Sequence, residues 1–103
     1  MEITPEDVKE ALESDSIRLI DVRGPDEWET ARIEGATLVS KELADEMKSS
    51  WDKDTAIVFY CHSGVRSMNA VHFFRKQGFT NVKSMAGGIE AWSLTIDSSV
   101  PRY

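Results

Sequence analysis

The chain has a single cysteine, Cys61, and that scarcity excludes a good deal. No internal disulfide can form, nor any zinc site built from several cysteines. There is no resolving thiol within the chain, so an oxidised or modified Cys61 has to be restored from outside. Long apolar runs are also missing, which argues against a membrane span. The first residues, Met1-Glu2-Ile3-Thr4-Pro5, lack the basic segment and apolar stretch of a signal peptide. A soluble, cytoplasmic protein is the expectation. Positive charge is in short supply: the net charge is -6. Such a chain is not expected to bind nucleic acid by neutralising phosphates. Repeats, low-complexity tracts and linkers are absent too. The 103 residues suffice for one core and not for two, so a single domain over 1–103 is expected.

What is present begins with an uneven charge. Residues 1–54 carry sixteen Asp/Glu against seven Lys/Arg, a balance of -9. Residues 55–103 carry two against five, a balance of +3. The acidic half is best read as solvated surface. The half holding Cys61 is locally basic, which suits an anionic substrate.

Strand and helix patterns alternate along the chain. Ile3 ends a short edge strand. Thr4 caps a helix with Pro5 in its first turn and Asp7 placed for a capping box; Val8, Ala11 and Leu12 form its inner face. Ile17 to Val22 is a core strand, stopped by Arg23-Gly24-Pro25. Asp26 caps a short helix to Ala31, and Ala36 to Val39 is a second strand. Ser40 caps a helix with Leu43, Ala44 and Met47 inward. Ala56 to Tyr60 is the most apolar strand and belongs at the centre of the sheet. A helix over 67–77 follows, with Ala70, Val71 and Phe74 inward and Gly78 as its left-handed stop. Val82 to Met85 is another strand. A short helix lies around 89–92, and the tail 97–103 is extended. The pattern predicts an α/β fold of about five mainly parallel strands with helices on both faces. In such sheets ligands bind beyond the carboxyl ends of the strands, where Cys61 stands.

Cys61-His62-Ser63-Gly64-Val65-Arg66-Ser67 carries the chemistry. Gly64 permits backbone conformations that let successive N–H groups turn toward one point. A helix starting near Ser67 aims its free N–H groups and positive dipole end at the same place. A thiolate would be favoured there. Arg66 adds a fork suited to oxyanions, and Ser63 and Ser67 add hydroxyl donors. A lone cysteine at the end of a core strand can equally be a buried, inert hydrophobe, and as an isolated residue Cys61 leaves both readings open. A core cysteine, however, does not need a polar glycine-containing loop and an arginine behind it.

This loop resembles the active loop of the rhodanese sulfurtransferases. The likeness extends over Leu19-Ile20-Asp21-Val22-Arg23, Glu27-Trp28, Ile33-Glu34-Gly35-Ala36, Gly78-Phe79 and Met85-Ala86-Gly87-Gly88-Ile89-Glu90-Ala91-Trp92. Where many members have Gly-His-Ile-Pro-Gly-Ala, this chain has Ala31-Arg32-Ile33-Glu34-Gly35-Ala36, so no role for that histidine carries over. Arg32 and the tail Asp97 to Tyr103 are similar to the rhodanese domains fused behind E1-like enzymes that activate ubiquitin-like sulfur carriers. The resemblance implies sulfur transfer through a Cys61 persulfide. The donor would be thiosulfate or a protein persulfide, and His62, Ser63, Gly64, Val65, Arg66 and Ser67 would form the binding loop. Neither metal nor organic cofactor is implied. A cysteine desulfurase or a ubiquitin-like sulfur carrier protein is an implied partner. Asp21 and Arg23 would support the pocket, Asp21 by accepting loop or helix N–H groups and Arg23 at the rim; an ordinary ion pair at a strand end is the plainer reading of the two.

Other readings stand beside this one. Dual-specificity phosphatases and arsenate reductases also place a cysteine before an anion-binding loop that ends in arginine. Only four residues separate Cys61 from Arg66, one fewer than in those loops, and the smaller cradle suits a sulfur atom better than a phosphate. A non-catalytic binding module of this family commonly lacks the cysteine, which this chain keeps; that reading survives as a protein-to-protein sulfur relay with little thiosulfate activity. His62 is assigned to the loop rather than to catalysis. His72 lies mid-helix, and Cys61, His62 and His72 do not make a usable metal ligand set. Trp28 and Trp92 are packing residues, while Gly87 and Gly88 serve backbone geometry.

Overall fold

The computed structural model describes residues 1–103. In chain order the elements are β1 (Glu2–Ile3), α1 (Pro5–Glu13), β2 (Arg18–Asp21), α2 (Pro25–Thr30), β3 (Thr37–Leu38), α3 (Lys41–Ser50), β4 (Ile57–Tyr60), α4 (Val65–Lys76), β5 (Val82–Met85) and α5 (Gly88–Thr95). The five strands form one sheet in the order β1-β5-β4-β2-β3, and every pairing is parallel. The apolar strand expected at the centre is the middle strand. Its register sets Phe59 beside Ile20 on one side and Ser84 on the other.

Period-two alternation divides the core between the two faces of the sheet. Leu19, Val58 and Tyr60 point to one face, where Val8 of α1 and Ile89 and Trp92 of α5 cover them. Ile20, Ile57 and Phe59 point to the other, under Met47 of α3 and Val71 and Phe74 of α4. Phe59 and Phe74 stack with ring centroids 5.3 Å apart. Burying each such side chain stabilises the fold by ~1.5–3 kcal/mol. The expected caps are in place: Asp7 N donates to Thr4 Oγ1 and Leu43 N to Ser40 Oγ. No helix is long and apolar enough to cross a membrane.

Several boundaries differ from the sequence expectation. β3 is two residues rather than four, and α2 begins at Pro25 with Gly24 in the cap position. Most consequential is α4, which starts at Val65, two residues early. Gly64 takes φ 118°, a left-handed conformation that turns the chain directly into the helix. The tail has no regular structure, yet Val100 is buried in the core on the α1/α5 side.

Candidate active site

A parallel sheet delivers all its strand ends to one edge, and β4 delivers Cys61 to the middle of it. The residue is 1% exposed. Its Sγ accepts N–H groups from Gly64 at 3.1 Å and Ser67 at 3.4 Å, and Ser67 Oγ lies 3.5 Å away. Because α4 starts early, the amide of Ser67 belongs to its first turn, where helical N–H groups lack partners within the helix. Burial pushes the thiol up, but the Ser67 hydroxyl and the amides of Ser67, Gly64 and Ser63 outweigh it and hold Cys61 below the ordinary thiol range.

The far side of the loop is held by α5. Ile89 N donates to the carbonyl of Cys61 at 2.9 Å and Glu90 N to that of His62 at 3.2 Å. The peptide joining His62 to Ser63 thus turns its N–H toward the sulfur and its C=O toward α5. Gly88 makes this approach possible. A Cβ there would sit 2.5 Å from the Cys61 carbonyl oxygen and collide with that of His62 as well. Sequence assigns Gly88 to backbone geometry; the structure gives the reason, which is contact with the backbone of Cys61 and His62.

Arg66 does not offer its fork to the loop. It lies in the first turn of α4, 47% exposed, and binds Glu27 of α2 through two hydrogen bonds of 2.7 and 3.0 Å. Glu27 also accepts Tyr103 Oη at 2.7 Å and Gly24 N at 3.3 Å. The Arg66 hydrogen bond, ahead of those from Tyr103 and Gly24, holds its carboxyl down to about 2.

Asp21 and Arg23 have other partners than those expected. Arg23 is buried, not at a rim, and Asp21 accepts from Arg23 N, Nε and Nη2 rather than from the loop. A carboxylate at the inward end of β2 must be neutralised where it is buried, and the nearest cation in sequence does it. Arg23 Nη1 then donates to Tyr103 Oη at 2.7 Å. Burial disfavours the Arg23 charge, but Asp21 and Tyr103 more than restore it. The pair is thus the plain ion pair at a strand end, extended to the tail.

His62 is half-buried, with Nε2 3.8 Å from Glu90 Oε2 and its ring edge-on to Tyr103 at 4.5 Å. It makes no hydrogen bond to Cys61 Sγ. Ser63 and Val65 face solvent at the mouth. His72 is exposed on α4, Trp92 is buried, and Trp28 lies under Arg32 at 5.0 Å. No group of three His, Cys, Asp or Glu side chains is arranged to hold a metal ion.

Sequence reasoning passed over Glu27, Tyr103 and Ser84 as site residues. Ser84 Oγ lies 2.7 Å from Ser67 Oγ beneath the loop. A small hydroxyl at an inward position of β5, where Val82 and Met85 are apolar, was the available signal. For Glu27 and Tyr103 no local signal exists, since their partners lie 39 and 76 residues away.

Comparison with known proteins agrees with this architecture. The rhodanese-like domain family model matches residues 4–95. The chain is 36% identical to the probable adenylyltransferase/sulfurtransferase MoeZ of Mycobacterium tuberculosis over 98% of its own length, but spans only 26% of that protein. It is 31% identical to the thiosulfate sulfurtransferase GlpE of Actinobacillus succinogenes, covering 88% of this chain and 82% of the other. The solution structure of a rhodanese-like domain from Anabaena superposes with a TM-score of 0.78 at 27% identity, over 90% of this chain and 73% of that one.

Proposed function

The chain belongs to the rhodanese-like domain family, and we propose that it is a sulfurtransferase carrying sulfane sulfur on Cys61. The observation that carries this reading is the setting of Sγ, an almost wholly buried sulfur at which Gly64 N, Ser67 N and the Ser67 hydroxyl converge. Such a cradle stabilises negative charge on one atom without a metal or a side-chain cation.

In this reading the Cys61 thiolate attacks the outer sulfur of thiosulfate. The new S–S bond forms as the old one breaks, and sulfite leaves with the bonding pair. The product is a Cys61 persulfide. A nucleophile, cyanide or a thiol, then attacks the outer sulfur, and the thiolate returns with the electron pair of the broken bond. No base has to act on Cys61, because the loop already favours the thiolate, and His62 stays a loop residue. The chain has no second cysteine, so return from the persulfide depends on an external acceptor, which reducing compartments supply. We therefore assign the activity to the cytoplasm.

A second reading is a relay between proteins, with a cysteine desulfurase or a ubiquitin-like sulfur carrier as partner. The likeness to an adenylyltransferase/sulfurtransferase and the engagement of Arg66 by Glu27, which occupies the cation a small dianion would seek, both favour it.

Intact mass tests the common step. Thiosulfate or a persulfidated desulfurase should add one sulfur atom, cyanide should remove it, and Cys61→Ala should show neither. No adduct with either donor would refute the proposal. Turnover with thiosulfate against transfer from the desulfurase separates the two readings.

A further inference from the structure

Two serine hydroxyls lie under the sulfur, and counting their protons assigns a direction to the pair. Each hydroxyl has one proton to give and can accept two. Ser67 Oγ has three neighbours: Ser84 Oγ at 2.7 Å, the Gly64 carbonyl at 3.1 Å and Cys61 Sγ at 3.5 Å. Ser84 Oγ has one, Ser67. Both residues are 0% exposed, so water does not make up a missing bond. If Ser67 donated to Ser84, the Ser84 proton would be buried with no acceptor, which native structures avoid. Donation from Ser84 to Ser67 uses that proton and leaves the Ser67 proton a choice between the Gly64 carbonyl, to which Ser67 Oγ donates at 3.1 Å, and Cys61 Sγ at 3.5 Å. The Gly64 carbonyl also accepts Met68 N at 3.1 Å, so it keeps a partner when the Ser67 proton turns to the sulfur. A negatively charged sulfur is the stronger attractor.

We propose that Ser84 is a positioning residue: its hydroxyl donates to Ser67 Oγ and so commits the Ser67 proton to the Cys61 sulfur whenever that sulfur is ionised. The backbone makes Ser84 a fixed donor, since β5 is flanked on both sides, with Ser84 paired to Glu2 in β1 and opposite Phe59 in β4. A hydroxyl that accepts one hydrogen bond also donates a stronger one. The significance for turnover rests on the sulfurtransferase reading, in which Cys61 attacks and departs as a thiolate.

The test is the pH profile of iodoacetamide alkylation in the wild type, Ser84→Ala, Ser67→Ala and the double variant, with no sulfur donor present. Ser84→Ala removes one buried oxygen and adds nothing, so the fold is retained and circular dichroism checks it. The expected result is a midpoint moved to higher pH with slower alkylation on the acidic side, because the Ser67 donor to the sulfur is weakened. Ser67→Ala should slow it more, and adding Ser84→Ala to Ser67→Ala should change nothing further. A midpoint that stays or falls in Ser84→Ala would overturn the proposal, because Ser84 would then be the acceptor. An undiminished Ser84→Ala effect in the Ser67→Ala background would overturn it too, since Ser84 would be acting through packing. Alkylation needs no persulfide, so failure here is distinguishable from failure of the sulfurtransferase reading, which the sulfur adduct decides.

Discussion

Arg66 makes both of its guanidinium hydrogen bonds to Glu27, at 2.7 and 3.0 Å. The contact joins the first turn of α4 to α2 across the mouth of the loop. An exposed pair of this kind adds little to stability. Its interest lies in what it withholds, because the one cation within the loop segment is already engaged. Glu27→Gln should free Arg66 and raise kcat/KM for thiosulfate by about threefold to tenfold at low salt, with the gain shrinking as salt rises. Adding Arg66→Ala to Glu27→Gln should cancel that gain, and transfer from a protein persulfide, which brings no sulfite to hold, should be unchanged by either substitution. A gain that survives without Arg66 would contradict this.

The same pair has a pH window. The Glu27 carboxyl is held at about 2, against 4.5 for an unperturbed group. A depressed carboxyl contributes above its unfolded value and loses that contribution as pH falls through its folded one. The Glu27–Arg66 contact should therefore be constant above about pH 5 and fade between 4.5 and 2. Carboxyl chemical shifts followed by NMR would check this.

Gly88→Ala should be severe. The added methyl would meet the carbonyl oxygen of Cys61 at 2.5 Å, and the residue sits at φ 60°, where side chains are strained. Overpacking against backbone costs ~1–3 kcal/mol, and a strained φ adds a similar amount. Thermal unfolding would measure the loss. Alkylation of Cys61 should also slow, since α5 must retreat from the loop it supports.

Asp21→Asn separates support of the fold from support of the site. Breaking the buried Asp21–Arg23 pair should cost ~3–5 kcal/mol in urea unfolding, because Arg23 is left charged and underpartnered. The Cys61 alkylation midpoint should hardly move, since neither residue bonds to the loop. A large shift in the midpoint with little loss of stability would restore the pocket role read from the sequence.

Much of this was legible in the sequence because the signals are local. The apolar run Ile57–Tyr60 indicated the middle strand, and the strand–helix alternation indicated a parallel sheet. Thr4 and Ser40 cap where their neighbours say they should. Gly64 marked the turn, although its left-handed conformation let α4 begin two residues early and so carried Arg66 out of the cradle. What escaped is non-local. Glu27 meets Arg66 across 39 residues and Tyr103 across 76, and neither spacing leaves a trace in local pattern. The tail looked merely extended because burial of Val100 depends on a core assembled by other elements.

The amides of Ile89 and Glu90 tie back the carbonyls of Cys61 and His62. A tethered peptide cannot rotate, and rotation is the one local movement that would aim an oxygen at the sulfur. The first two peptides of the loop therefore keep one polarity while charge on the sulfur comes and goes. In water each change of charge would require solvent dipoles to turn; here they are already turned and bolted to a helix. The packing of α5 against the loop is, in that sense, the protein's replacement for a hydration shell.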